Sequence, residues 1–163
     1  MKSLLVLRHA KSSWDNARLG DHDRPLNARG QKDAPRMGRL LRAEDLIPDL
    51  IVSSSAERAL ATAEAVALAA GYEDEIIIAR ALYHADVDTC LEVLADLSDE
   101  VDRVMLVGHN PTWEMLVESL TGEMELMPTA SVALIELPLA KWQDLSESTV
   151  GKLVDLWRPR ELS

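Results

Sequence analysis

The sequence predicts an α/β fold in three layers, with helices on both faces of a central, mostly parallel sheet, and three observations predict it. Strand-like apolar runs alternate with helical patterns along the whole chain. Three of those runs stop at chemically loaded residues: Ser3-Leu4-Leu5-Val6-Leu7 at Arg8-His9, Asp49-Leu50-Ile51-Val52 at Ser53-Ser54-Ser55, and Arg103-Val104-Met105-Leu106-Val107 at Gly108-His109. No linker, repeat or low-complexity segment divides the 163 residues, which read as a single domain over 1–163.

The first strand is expected over 3–8. The segment from Ala10 to Leu26 that follows has no clear periodicity, and a loop of that length inside a compact domain is usually functional or mobile. It begins directly after His9, so part of it should rim whatever site His9 serves. Lys11 and Ser12 are candidate anion contacts, with a solvated side chain the plainer reading of Lys11. Trp14 either offers its face to a ligand or pins the loop to the core, and the pin is favoured because aromatic anchors chiefly contribute burial. The first helix is expected over 28–45. Pro35 sits early in it only if the helix begins near that residue or a turn before, which leaves the boundary open.

A second strand over 49–53 leads into an alanine-rich helix over 56–70, with Gly71 as its stop. The third strand, 76–79, is followed by Ala81-Leu82-Tyr83-His84-Ala85-Asp86-Val87-Asp88 and a helix over 87–97, for which Asp86 is a good N-cap. The lone Cys90 excludes an internal disulfide, and its neighbours Leu91, Val93, Leu94 and Leu97 mark it as a core or near-core thiol. A strand over 103–107, a helix over 112–121 and strands over 131–137 and 152–157 complete the chain.

Seventeen basic against twenty-eight acidic residues give a net charge of −11, which argues against nucleic acid and anionic membrane as partners. No apolar run approaches the ~18 residues of a membrane span, and the start lacks a signal peptide's long apolar core. A soluble, cytoplasmic protein is the expectation. Within that acidic molecule, Arg8-His9 closes a strand at the edge where open α/β sheets place their ligands. A cation and an imidazole delivered there make a site for an anion, and Arg58 and His109 arrive at the ends of two further strands.

Arg8-His9-Ala10, the segment Ser54 to Ala63, Gly108-His109-Asn110 and the stretch Asp23-Arg24-Pro25-Leu26-Asn27-Ala28-Arg29-Gly30 together resemble the histidine phosphatase superfamily, of phosphoglycerate-mutase-like fold, and most closely its small SixA-type phosphohistidine phosphatases. Order and spacing agree over nearly the whole chain, and Ala10 stands where the family usually has Gly. The resemblance implies a phosphatase, and the absence of metal-ligand spacing beside enough protein cations to hold a phosphate leads to the expectation that it works without cofactor or metal. Its catalytic residues would be His9 as nucleophile, Arg8, Arg58 and His109, with Lys11, Ser12, Asn110 and Arg24 binding substrate.

The chemistry suits those residue types. A phosphoryl group in flight spreads charge over its oxygens and needs fixed cations in place beforehand. Arginine forks match phosphate oxygens two at a time, and neutral histidine offers a free ring nitrogen near pH 7. His109 reads as a donor to the transferring oxygens or as a cap on the Asn110-Pro111-Thr112 turn. The general acid is harder to place. Asp86 and His84 lie after the third strand, Asp21 and Asp23 compete from the early loop, and for Asp86 the cap reading leads.

A weak acid position favours imidazole as leaving group, since its conjugate acid has a pKa near ~6.5. Family members acting on small phosphate esters commonly carry lid insertions, whereas the connections after the third and fourth strands here are short. The resemblance therefore implies a phosphorylated protein, such as a phosphorelay domain, as partner. A small-molecule phosphatase of the same fold and a non-catalytic phosphate-binding module are the alternatives. A metal site built from His9, His22, His84 and His109 lacks any assembled ligand spacing.

Overall fold

A computed structural model describes residues 1–162. Six strands form one sheet: β1 (Lys2–Arg8), β2 (Leu50–Ser54), β3 (Ile76–Ala79), β4 (Arg103–Gly108), β5 (Val132–Leu137) and β6 (Lys152–Trp157). Four α-helices alternate with them: α1 (Ala28–Ala43), α2 (Glu57–Ala70), α3 (Val87–Ala95) and α4 (Thr112–Thr121). Each sequence-predicted element is present, with ends moved by no more than two residues. The strand order is β3-β2-β4-β1-β5-β6. The pairs β2–β3, β2–β4 and β1–β4 are parallel, and only β5 runs against its neighbours.

The two faces of the sheet carry separate cores, which is why β1 and β4 read as nearly continuous apolar runs. Leu4, Val6, Val104 and Leu106 face α3 and α4, packing with Leu94, Leu116 and the buried rings of Trp113 and Trp142. Leu5, Leu7, Met105 and Val107 face α1 and α2, packing with Met37, Leu41, Ala63 and Val66. On that side Gly38 lets the helices approach closely, because a Cβ there would stand 2.5 Å from the Val66 carbonyl oxygen. Cys90 is fully buried on the other face, and burial pushes its thiol up to about 12.

The open boundary at Pro35 resolves away from that residue. Asn27 caps α1, its side-chain oxygen accepting from the Gly30 N–H at 2.9 Å, so Pro35 lies well inside the helix. Its missing N–H costs the Gln31 carbonyl its helical partner, and Gln31 is exposed, where water can take that bond. α2 ends at Gly71 in the left-handed conformation, φ 80°, a turn that glycine adopts without penalty. Among the described residues no helix is long and apolar enough to cross a membrane.

The parallel registers place Arg8 opposite Gly108 and Ser53 opposite Val107, so β1, β2 and β4 end at one edge of the sheet. α2 and α4 begin at that edge and present their N-termini to it, where free N–H groups favour an anion.

Candidate active site

The strand ends open into a cleft of about 570 Å³ whose lining includes Arg8, His9, Arg24, Arg58, Tyr83 and His109. Its residues come from five separate stretches of chain: the end of β1 with the loop that follows it, the start of α2, residues 82–85, residues 109–113 and Thr129. Gly108 makes one turn possible: a Cβ there would meet the Trp113 ring at 2.5 Å, and that ring is locked in the core.

The two histidines stand with ring centroids 5.2 Å apart, and their hydrogen bonds dictate opposite duties. His9 Nδ1 lies 2.8 Å from the Ala10 carbonyl oxygen, which can only accept, so Nδ1 carries the proton and Nε2 keeps a free lone pair. Burial, reinforced by Arg58, Arg8 and Arg24, holds the His9 pKa down at about 4 and the ring neutral at pH 7. His109 Nε2 lies 2.8 Å from Ser54 Oγ, and that oxygen already accepts the Ala56 N–H at 3.2 Å. The Ser54 hydroxyl can donate to His109 Nε2, and in that tautomer the imidazole N–H sits on Nδ1. His109 Nδ1 is buried without a protein partner, and burial, then His9 and Arg58, hold this ring at about 3.

The cations are clamped individually. Arg8 donates from Nη1 to the Met127 carbonyl at 3.0 Å. Arg58 donates to Asp21 twice, to the backbone oxygen at 2.7 Å and to Oδ2 at 3.1 Å. Arg24 pairs with Asp21 Oδ1 at 3.2 Å, and its guanidinium lies 3.4 Å over the centre of the Trp14 ring. After these contacts Arg8 Nε, Arg58 Nε and Arg24 Nη1 remain buried with no acceptor among the described residues. Buried donors of this kind are costly unless something accepts from them, and here they surround one cleft. An anion with several oxygens would satisfy them together, and the free lone pair of His9 Nε2 belongs to the same cleft.

The other sequence-predicted residues divide. Lys11, Ser12 and Asn110 line the cleft, Ser12 buried and Lys11 exposed. Asn110 spends its amide N–H groups on Glu114 Oε2 and the Met127 carbonyl, while its Oδ1 is buried and unpartnered. Asp21 sits in the cleft as an ionised counter-ion: the Tyr83 hydroxyl at 2.6 Å, then Arg58, hold its carboxyl at about 2, well below a range useful for donating protons at pH 7. His84 lines the cleft with its ring 4.0 Å from that of Tyr83. Asp86 points away to cap α3, accepting from the Thr89 N–H at 2.8 Å.

Trp14 corrects the expectation of a core pin. It is 74% exposed and covers Arg24 at the rim, because the polar loop around it has no apolar surface to bury it against. Asp23 is exposed beside His22. Among the described residues no three His, Cys, Asp or Glu side chains gather in a metal-binding arrangement.

Three contributors were not read from the sequence. Ser54 orients His109, Tyr83 tethers Asp21, and Glu114 holds both Asn110 and the Met127 N–H, so that the Met127 carbonyl stays aimed at Arg8. Only Glu114 carried a signal, standing four residues after Asn110 at the start of a helix.

The family model described as histidine phosphatase superfamily (branch 1) matches residues 4–90. An uncharacterized chloroplastic protein of Arabidopsis thaliana is 31% identical over 88% of this chain and 70% of its own length. A structure from Agrobacterium tumefaciens, assigned as a phosphohistidine phosphatase SixA, is 32% identical with a TM-score of 0.83, over 97% of this chain and 98% of that one. The protein histidine phosphatase SixA complexed with tungstate shares the fold at a TM-score of 0.84 and 24% identity, covering 99% of each chain. The phosphoglycerate-mutase-like α/β fold expected from the sequence is thus the fold found.

Proposed function

The chain belongs to the histidine phosphatase superfamily, and on that premise we propose that it is a metal-independent phosphatase acting on phosphohistidine carried by a protein, such as a phosphorelay domain. In the first step His9 Nε2 attacks phosphorus in line, the new N–P bond forming as the bond to the substrate's ring nitrogen breaks, and that ring, protonated beforehand on its other nitrogen by solvent, departs as neutral imidazole. In the second, water attacks phosphorus, the N–P bond breaks, and orthophosphate departs. Arg8, Arg24 and Arg58 neutralise the equatorial oxygens, and His109 donates from Nδ1 to one of them. Ser12 completes the rim of the phosphate site, with Lys11 adding long-range attraction, while Asn110, its N–H groups spent on Glu114 and the Met127 carbonyl, supports the carbonyl that clamps Arg8.

The observation that carries this reading is the set of unpartnered donors on Arg8, Arg58, Arg24 and His109, residues that line the same cleft in which His9 keeps a free lone pair. The substrate class rests on the leaving group. Asp21 is ionised and Asp86 is committed to a helix cap, which leaves the cleft poor in carboxylic acid. An ester oxygen leaves reluctantly under those conditions, whereas an imidazole leaves readily. The connections around α3 and α4, helices of nine and ten residues, leave the cleft accessible to a protein surface. Comparing kcat/KM on a phosphohistidine protein with that on a set of sugar, nucleotide and serine phosphates tests this. The expected result is a preference for phosphohistidine; a small ester processed at least as well assigns the enzyme to small molecules.

A further inference from the structure

A second groove, of about 290 Å³, opens beside the catalytic cleft and is lined by Arg8, Lys11, Arg29 and Arg160 over a floor of Pro128, Thr129 and Pro159. Arg8, Lys11 and Thr129 line both spaces, so the two are adjacent. No carboxylate lines the groove, in a chain with eleven more acidic than basic residues. Among the described residues Lys11 and Arg160 enter no ion pair. Among those residues Arg29 alone of the four has a carboxylate partner, Asp33 at 3.6 Å one helical turn along α1, while Glu161, next to Arg160, pairs with Arg158 instead.

Four cations around one groove repel each other, and three of them, Arg8, Lys11 and Arg160, have no carboxylate partner among the described residues although acidic side chains are abundant in the chain. An arrangement that breaks the local charge rule without a structural gain marks a place where a ligand completes the balance. We propose that this groove is a second anion subsite, which takes a carboxylate or phosphate group belonging to the same molecule as the phosphoryl group in the catalytic cleft. The proposal rests on the phosphatase reading of the neighbouring cleft and adds a specificity determinant to it. Arg29 and Arg160 would select substrates with a second negative group, and Arg8 would stand between the two anions.

Phosphonates, whose C–P bond resists hydrolysis, separate this from catalysis. Methylphosphonate offers one anion and propane-1,3-diyl bisphosphonate offers two on a short tether. Calorimetry in about 0.15 M salt, where the screening length is ~8 Å, should show the bisphosphonate binding at least about tenfold tighter to the wild-type protein, as tethering predicts. The double variant Arg29→Ala/Arg160→Ala should reduce that advantage to about twofold or less while holding methylphosphonate affinity within about threefold. A charge-matched control, Lys141→Ala/Lys152→Ala, removes two exposed lysines from the opposite end of the sheet and should keep the advantage. Equal binding of the two phosphonates to wild type, an advantage that survives in the double variant, or one lost equally in the control overturns the subsite. Failure of methylphosphonate to bind at all refutes the phosphate cleft instead.

Phosphohistidine peptides flanked by Glu or by Gln then assign the second anion. Faster turnover of the Glu peptide, lost in the double variant, identifies carboxylates of a protein substrate. Equal turnover, with the bisphosphonate advantage standing, identifies a second anionic group on a small substrate.

Discussion

Replacing Ser54 with Ala should damage catalysis without touching any group that meets the substrate. Ser54 Oγ accepts the Ala56 N–H at 3.2 Å and so has its own proton available for His109 Nε2, 2.8 Å away. That donation keeps the His109 proton on Nδ1, the nitrogen with no protein partner. In the alanine variant, the tautomer that still donates from Nδ1 leaves Nε2 buried and unsatisfied, at a cost of about 1–3 kcal/mol. Charged to the transition state, this predicts a loss of about 10- to 100-fold in kcat/KM. The fold should lose about 1 kcal/mol from the unpaired Ala56 N–H, measurable by denaturant titration. Kinetics on phosphoramidate decide the matter. A loss under twofold would show that His109 needs no such orientation, and a loss as complete as that of His9→Ala would mean that Ser54 takes part in the chemistry itself.

Four further outcomes follow from the same site. Arg8→Lys and Arg58→Lys should each reduce kcat/KM by about tenfold or more, because an ammonium cannot hold Met127 or Asp21 and an oxygen of the substrate in one plane; unchanged kinetics in both would make these arginines structural. With His9 held at about 4 and His109 at about 3, kcat/KM should stay level from pH 8 down to about 5 and fall below that, where rings at the ordinary 6.5 would already decline under pH 7. The same depression sets a sign for stability: unfolded histidines take up protons below about 6.5 and the folded ones do not, so the melting temperature should fall on acidification toward pH 4, and a flat profile would contradict the burial argument. EDTA should leave turnover unchanged, and a loss restored by one divalent ion would return His9 to the role of a ligand.

The layered architecture was legible because buried strands and alanine-rich helices have different periods, and because Arg8-His9, the serine run 53–55 and Gly108-His109 fall where those periods break. The cleft could be placed for the same reason: strand ends in a parallel sheet meet at one edge. What the chain did not disclose is set by contacts distant in sequence. Asp21 looks like a candidate acid until Arg58, Arg24 and Tyr83 converge on it and hold it ionised. Trp14 looks like an anchor until the loop leaves it covering Arg24 in solvent. The Ser54 hydroxyl is one of three consecutive serines, and nothing local distinguishes the one that reaches a histidine fifty-five positions away.

The central claim is that His9 carries the phosphoryl group, and a rapid-quench trap tests it most directly. The protein is mixed with labelled phosphoramidate, quenched under alkaline conditions that preserve phosphohistidine, digested and mapped by mass spectrometry. The account predicts label on His9 in the wild type and none in a folded His9→Ala variant. Label on another residue, or His9→Ala activity within about tenfold of wild type, a barrier difference of only ~1.4 kcal/mol, would contradict it.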